Sequence, residues 1–393
     1  MKFVPPLLLS IATLLLATGC ATAPPMPSAT DLFSDASFKA PAQPVRSDQL
    51  FALSPAMRAH LESAQFAASA RSVGPQHGLF NALYKKGELK IEYDAAVTRD
   101  AAGTFAAGKG NCLSLVIMTA AFAKALALPV NFQQVLVDQQ WSRNGSMYVA
   151  STHVNLSLPI SDQVGVHTSG ERTLTIDFLP PEDANYFNTV ALDETAIVAM
   201  YLNNRAAEEL AQDRIDQAYW YARAAIEKNP AYIVAYNTLG VVYQRHGQMA
   251  LAEKVYKRAL EREHEDTIVM HNLVPVLASL GKADESKALA EHLAHIQPTP
   301  PFYYFQKGMK AMDERRYADA KSLFAREVQR SPYYHEFHFW LALAHWSLGE
   351  ARDANSEMAL AVDTSTSADA TKKYSSKLAY LRSMSGEARR RAY

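Results

Sequence analysis

The sequence has little cysteine, no excess of charge and, beyond its first 20 residues, no long hydrophobic run. Cys20 and Cys112 are the only cysteines among 393 residues. The 39 basic and 40 acidic residues leave a formal net charge of −1, which argues against a nucleic-acid-binding protein. No apolar run after residue 20 approaches the length of about 20 residues that crosses a bilayer, so the later sequence does not predict a membrane-embedded protein.

Residues 1–19 have the pattern of an export signal. Lys2 precedes an apolar run and then small residues, and the run is too short for a membrane span. A cysteine directly after Ala17-Thr18-Gly19 resembles the lipobox of bacterial lipoproteins, in which that cysteine is acylated and becomes the mature N-terminus. The resemblance implies that Cys20 carries fatty acyl chains such as palmitate and binds the lipid bilayer. It implies a location in the bacterial cell envelope, facing the periplasm, and Ala21 favours the outer membrane.

The segment 20–48 combines prolines with alanine, serine and threonine. The prolines are Pro24, Pro25, Pro27, Pro41 and Pro44. Such a composition buries too little apolar surface to fold, so it predicts an extended tether between the lipidated cysteine and the first domain.

Cys112 is the thiol that the mature chain retains, and it has no disulfide partner there. In an oxidising compartment an unpaired thiol is a liability unless it is buried or reactive, and a small buried residue is the alternative to a nucleophile. Leu115, Met118 and Phe122 follow at helical spacing, so Cys112 is predicted in the first turn of a helix. The helix dipole at that position favours the thiolate.

The elements that follow are predicted strands. The segments 130–141 and 146–158 flank Asn144-Gly145, a strong hairpin signal, and a third strand covers 174–178. His153 lies on the second strand, and Asp177 lies on the third, opposite to its apolar residues. A thiolate attacks, an imidazole moves its proton and a carboxylate orients the imidazole. Cys112, His153 and Asp177 supply these three groups.

Residues 75–188 resemble the bacterial transglutaminase-like superfamily. The resemblance rests on Gly110-Asn111-Cys112-Leu113-Ser114, on the helix ending at Pro129-Val130, and on His153 and Asp177 with the residues around them. It implies a papain-like α+β domain over 49–198, with Cys112 as nucleophile, His153 as general base and Asp177 as the residue that orients it. The family often has tryptophan two residues after the histidine, where this chain has Asn155.

The resemblance implies acyl transfer from an amide to Cys112 and then to water, which makes the domain a cysteine peptidase or amidase. Transfer to an amine instead of water describes a cross-linking transglutaminase. Because some relatives have lost catalysis, a non-catalytic scaffold that assembles envelope proteins is a further alternative.

After residue 198 the sequence repeats every 34 residues. Small residues follow this period at two positions: Ala206, Gly240, Gly308 and Ala342, and Ala218, Ala252, Ser286, Ala320 and Ala354. The pattern looks like five tetratricopeptide repeats over 199–368, starting near residues 199, 233, 267, 301 and 335, because small residues let paired helices approach closely. Residues 369–393 are predicted to form a helix that caps this all-α solenoid.

A solenoid of this kind offers a groove for a peptide or protein, whether substrate or partner. Its aromatic end is a candidate lining that core packing explains equally well: Tyr303, Tyr304, Phe305, Tyr333, Tyr334, Phe337 and Trp340. His335, His338 and His345 have helical spacing, but the sequence places no further ligand beside them. Packing or solvated histidines are therefore the favoured interpretation, and neither a metal nor a cofactor is predicted.

Replacing Cys20 with alanine should prevent lipid attachment, because the acylated sulfur is then missing. We expect the Cys20→Ala protein to accumulate as an unprocessed or soluble precursor in membrane fractionation. A variant that still fractionates as a mature membrane-bound protein would show that another feature anchors the chain.

Overall fold

The computed structural model describes residues 29–41, 44–84, 91–94, 97–144, 147–160, 173–178, 188–365 and 368–391. The N-terminal part contains both helices and strands: α1 (Pro55–Leu61), α2 (Ala64–Val73), α3 (Pro75–Tyr84), β1 (Glu92–Tyr93), α4 (Ala101–Ala107), β2 (Lys109–Gly110), α5 (Cys112–Ala125), β3 (Asn131–Asn144), β4 (Met147–Pro159), β5 (Thr173–Ile176) and β6 (Thr189–Leu192). Two short 3-10 helices, Ala29–Leu32 and Asp35–Ser37, precede them.

The rest of the described chain is helical. Its elements are α6 (Glu194–Ala211), α7 (Ile215–Lys228), α8 (Ile233–Arg245), α9 (Met249–Leu260), α10 (Thr267–Ser279), α11 (Ala283–Ile296), α12 (Tyr303–Asp313), α13 (Tyr317–Arg330), α14 (His335–Ser347), α15 (Ala351–Asp363) and α16 (Ala368–Arg391). None of the helices in the described part of the chain has the length and hydrophobicity that a membrane span requires.

Helix α5 forms the centre of the N-terminal domain. Every residue from Leu113 to Ala123 is buried, because the helix is apolar on all sides and contacts α3, α4, α6 and strand β4. A helix that is enclosed in this way holds its first residue, Cys112, in a fixed position relative to the sheet.

Strands β3 to β6 form an antiparallel sheet in the order β5-β4-β3-β6. Leu156 of β4 lies opposite Ile176 of β5. Continuing this register one residue further brings Asp177 opposite Asn155 and diagonal to His153. The hairpin predicted at Asn144-Gly145 joins β3 and β4, and residues 145–146 at its tip lie outside the described residues. Strand β6, which the sequence analysis did not predict, pairs with β3.

The helical part consists of antiparallel pairs with a 34-residue period. Helices α8, α10 and α14 begin at residues 233, 267 and 335, and α12 begins two residues after position 301. Glycine is required where the two helices of a pair cross most closely. A Cβ at Gly240 would lie 2.3 Å from the ring of Tyr256, and one at Gly308 would lie 2.5 Å from the ring of Phe324.

The C-terminal helix α16 packs on the last helix pair. Tyr374, Leu378 and Leu381 are buried there, and the Tyr374 ring stacks on Phe339 with 5.0 Å between centroids. Tyr380 on the same helix is 53% exposed and takes no part in this contact.

The domain and the first three helix pairs of the solenoid share one hydrophobic core. Helix α6 contacts both α5 and β3, and one continuous cluster of buried residues runs from Ala29 to Leu277. The first solenoid helix is therefore also a structural element of the domain that carries Cys112.

Residues 29–41 pack on the solenoid, which corrects the prediction of an extended tether for this stretch. Leu32 is fully buried, and Phe38 stacks on Tyr219 with ring centroids 4.0 Å apart. The Tyr219 hydroxyl donates to Asp35 at 2.6 Å and accepts from the backbone N–H of Ser34 at 2.9 Å. The average composition of 20–48 did not predict the burial of these few apolar side chains. Their complementary surface exists only on the folded solenoid.

Charge reinforces the docking of this segment. Asp31 pairs with Lys254 at 3.0 Å and with Arg258 at 3.2 Å, and Asp35 pairs with Arg223 at 3.1 Å. The partners lie on α7 and α9, the second helices of neighbouring pairs. The segment therefore crosses two repeats, and it contributes to holding them together.

Replacing Phe38 with alanine should release residues 29–41 from the solenoid, because a buried stacked ring contributes about 3 kcal/mol. We expect the exchange of the amide hydrogens of Ser34, Ser37 and Phe38 to accelerate by about 100-fold, measured by hydrogen–deuterium exchange. Phe80→Ala, which truncates a ring that is 36% exposed on α3, is the control and should leave this exchange unchanged. Unaltered exchange in Phe38→Ala would contradict the docking.

Candidate active site

Cys112 is the first residue of α5, and the residue before it caps the helix. The Asn111 side chain accepts hydrogen bonds through Oδ1 from the backbone N–H of Ser114 at 2.9 Å and from its hydroxyl at 2.8 Å. This cap satisfies one of the free amides of the first turn. The Cys112 side chain is half-buried, so the thiol lies at the dipole-positive end of the helix with access from outside.

His153 and Asp177 lie side by side in the sheet. His153 Nε2 is 2.6 Å from Asp177 Oδ1, and each side chain is only 9% exposed. The second carboxylate oxygen of Asp177 accepts a hydrogen bond from Asn155 Nδ2 at 2.6 Å. Asp177 is therefore held from two directions by residues that point to the same face of β4.

Asn155 is a site residue that the sequence analysis did not assign. It stands where the resembled family often has tryptophan, and its amide orients the carboxylate. The period of two along β4, which puts residues 153 and 155 on one face, was the signal that pointed to it.

His153 also lies beside the Cys112 side chain, which contributes to the shift of its pKa. Because Nε2 faces Asp177, Nδ1 is the nitrogen available to the thiol. Burial disfavours the charged imidazolium, but the interactions with Asp177 and Cys112 outweigh it and raise the pKa of His153 to about 9. At neutral pH His153 is then mostly protonated.

Tyr93 is a second neighbour of Cys112. Strands β1 and β2 pair in parallel with Tyr93 opposite Gly110, two residues before Cys112. The residue is 55% exposed, and desolvation together with the charge of Cys112 raises its pKa. Tyr93 and the backbone amide of Cys112 thus lie near the sulfur atom.

The other residues that the sequence singled out lie apart from this group. Cys20 lies outside the described residues. The aromatic set of the solenoid divides: Phe305 and Phe337 are buried in the core of the fourth and fifth helix pairs, whereas Tyr333 is 45% exposed. Tyr304 stacks against the Arg326 guanidinium, 3.8 Å from its ring centroid.

The three histidines of α14 bind other side chains of the solenoid. His335 bonds to the Tyr374 hydroxyl at 2.8 Å, and His338 lies 2.7 Å from Glu357. His345, Glu350 and Asp353 have ligand atoms within 4.8 Å of one another, but the Lys321 ammonium already donates to both oxygens of Glu350. A cation of the chain itself thus neutralises the central carboxylate of this trio.

Replacing Asp177 with asparagine should lower the pKa of His153 from about 9 toward or below its usual 6.5, because burial then acts against a weaker partner. Titration of the imidazole resonances by NMR, assigned with His153→Gln, measures the change. Asp193→Asn, which alters the exposed cap of α6, is the control.

The same shift predicts a pH dependence of stability. Since the pKa of His153 is raised on folding, its contribution is fully present below about pH 6.5 and is lost as the pH rises through about 9; a shift of this size corresponds to about 3 kcal/mol. The free energy of unfolding, measured with urea, should differ less between pH 6 and pH 9.5 for Asp177→Asn than for the wild type. Equal differences in both proteins, or a wild-type imidazole that titrates near 6.5, would contradict the assigned ion pair.

No protein-family model matches the chain. A stretch of 156 residues, 38% of this chain, is 27% identical to the STIP1 homolog of Dictyostelium discoideum. The match covers 26% of that protein, so the chain spans about a quarter of the length of this curated relative.

Solved structures that resemble part of the chain include the following two. The crystal structure of YrrB, a TPR protein with an unusual peptide-binding site, is 18% identical, covers 45% of this chain and 92% of that chain, and has a TM-score of 0.25. The structure of Pseudomonas aeruginosa pilF is 17% identical to this chain. The match covers 48% of this chain and 94% of the pilF chain, with a TM-score of 0.28. The 34-residue period and the antiparallel helix pairs make this part of the chain a solenoid of tetratricopeptide-type repeats.

Proposed function

We propose that the protein is a scaffold that binds a peptide or protein partner through its helical repeats. The observation that carries this proposal is the run of helix pairs from α6 to α15, because such pairs present one continuous surface to an extended ligand. YrrB, among the similar structures, has a peptide-binding site, which supports a ligand of this class.

We propose further that the N-terminal domain carries an acyl-transfer centre of Cys112, His153 and Asp177. One observation favours this second function: a single buried imidazole contacts both the carboxylate and the only thiol of the domain. A cysteine that served merely as a small core residue would need neither a charged partner nor the first position of a helix.

The geometry supports a reaction in two steps. The Cys112 thiolate attacks an amide carbonyl carbon, and the new C–S bond forms. The C–N bond then breaks as the His153 imidazolium gives its proton to the leaving amine. Water next attacks the thioester while neutral His153 takes a proton from it, which releases the carboxylic acid and restores the thiolate.

The negative charge that develops on the carbonyl oxygen requires donors close to the sulfur. The backbone N–H of Cys112 is the first donor in this proposal, and the hydroxyl of the neighbouring Tyr93 is the second. Hydrolysis defines a cysteine peptidase or amidase, and attack by an amine instead of water defines a cross-linking transglutaminase with the same first step.

Acylation of Cys20 would hold this protein at the outer membrane, facing the periplasm. Because residues 29–41 dock on α7 and α9, only residues 21–28 separate Cys20 from the docked segment, and a stretch of this length spans at most about 30 Å. The surface formed by α7 and α9 would then lie close to the bilayer.

Cys112 should be alkylated at neutral pH faster than a free thiol of about pKa 8.5. We expect His153→Ala to slow iodoacetamide labelling of Cys112 at pH 7 by about 10-fold or more, because the imidazolium that stabilises the thiolate is removed. Peptide mass spectrometry of the full chain measures labelling at Cys112 alone. A matched control is His271→Ala on α10, whose imidazole bonds to Gln297.

The same variants separate the two proposed functions. If Cys112 reacts only after denaturation, equally in wild type and His153→Ala, the acyl-transfer centre is wrong and the scaffold remains. The scaffold proposal requires that Cys112→Ala keeps the partners seen by cross-linking in cells, with cross-links on residues 194–365. Cross-links confined to residues 49–188 would contradict it.

A further inference from the structure

The loop before the cysteine helix is tied to the first solenoid helix through one buried threonine. Thr98 is 2% exposed, and its hydroxyl oxygen accepts hydrogen bonds from Asn111 Nδ2 at 2.8 Å and from Asn204 Nδ2 at 3.3 Å. Asn204 belongs to α6, whereas Asn111 caps α5 next to Cys112. A single oxygen atom therefore connects the solenoid to the cap of the nucleophile.

Glu208 completes this connection from α6. Its Oε1 accepts a hydrogen bond from the backbone N–H of Thr98 at 2.6 Å. Arg205 holds the other oxygen of Glu208 at 2.6 Å. Burial raises the pKa of Glu208, and the contacts with Thr98 and the charge of Arg205 oppose that rise.

The connection fixes the orientation of the Asn111 amide. Since Nδ2 is held by Thr98, Oδ1 is directed at Ser114, where it caps α5. The backbone N–H of Arg99 also donates to the Ser114 hydroxyl at 2.9 Å, so two successive residues of the loop bind the first turn. The direction of the Cys112 amide and of its thiol follows from the backbone of Asn111.

We propose that Thr98 and Glu208 are positioning residues for Cys112, so that the first solenoid helix is part of the acyl-transfer machinery. This inference rests on the proposed acyl-transfer function. It gives the solenoid a second role beside partner binding. A displacement of α6 would move Thr98, and Thr98 would move the Asn111 cap that orients the thiol and the backbone amide of Cys112.

Thr98→Val tests the inference, because valine keeps the shape and the backbone N–H but removes the hydroxyl. We expect iodoacetamide labelling of Cys112 in the full chain to slow by about 10-fold at pH 7, with a shifted pH–rate profile. Thr98→Ser restores the hydroxyl and should return the rate to within about twofold of the wild type. Thr238→Val is the matched control, since this buried threonine bonds within its own helix α8.

Glu208→Gln provides a second variant in case Thr98→Val fails to fold. This variant removes the negative charge that accepts the hydrogen bond from the backbone N–H of Thr98. It should slow the labelling of Cys112, as Thr98→Val does. Glu209→Gln is its neighbour control, because Glu209 is even more buried, at 5% exposure against 16% for Glu208, but binds Arg205 and Arg214 and not the loop.

The outcomes separate the inference from the proposed function. Slower labelling and a shifted pH–rate profile in Thr98→Val and Glu208→Gln, with unchanged controls, support the positioning role. If these variants lose thermal stability but label like the wild type, the role is structural and the inference is overturned. If the wild type labels no faster than His153→Ala, the acyl-transfer centre itself is wrong, and the inference is wrong with it.

Discussion

The hydrogen bonds of the Asn111 side chain hold together the parts of this protein that matter for its site. One end of the amide caps helix α5, and the other end is bound to Thr98. Because an uncapped helix start leaves amides without partners, the position of the first turn depends on this side chain. Cys112 follows Asn111 directly in the chain and is the first residue of the helix that this side chain caps.

A second constraint is the burial of charge at His153 and Asp177. Two ionisable groups that are 9% exposed are costly unless each is hydrogen-bonded to a partner. The structure meets this requirement with Asn155 on one side of the carboxylate and Cys112 on the far side of the imidazole. The arrangement keeps His153 protonated near neutral pH, which is the state that stabilises a thiolate and protonates a leaving amine.

The solenoid and the domain depend on each other for burial. Helix α6 is the first helix of the repeats, yet it packs on α5 and β3 and binds the loop at Thr98. Residues 29–41 cross the second helices of the first two pairs and add a stacked ring and ion pairs to them. Each repeat alone has an apolar face to cover, and at this end of the solenoid the neighbours are the domain and the N-terminal segment.

Local pattern in the sequence was enough to predict the helix that starts at Cys112, the hairpin of β3 and β4, the opposing faces of β4 and the 34-residue repeat. These features depend on periodicity, caps and turn residues, which act over a few neighbouring positions. Cys112, His153 and Asp177 were predicted as a group because each residue type has a distinct chemical role.

The tertiary structure decided what those patterns could not. Strand β6 has a short and mostly exposed sequence, and it forms because β3 offers an edge. Phe38 and Leu32 lie in a proline-rich stretch whose composition predicts no fold. They are buried because they contact a surface of the solenoid, around Tyr219, that is distant in the sequence. The contacts of Asn155, Tyr93, Thr98 and Glu208 also depend on distant chain segments meeting. Spacing in the sequence puts Asn155 on the face of His153, but only the packing brings Asp177 to it.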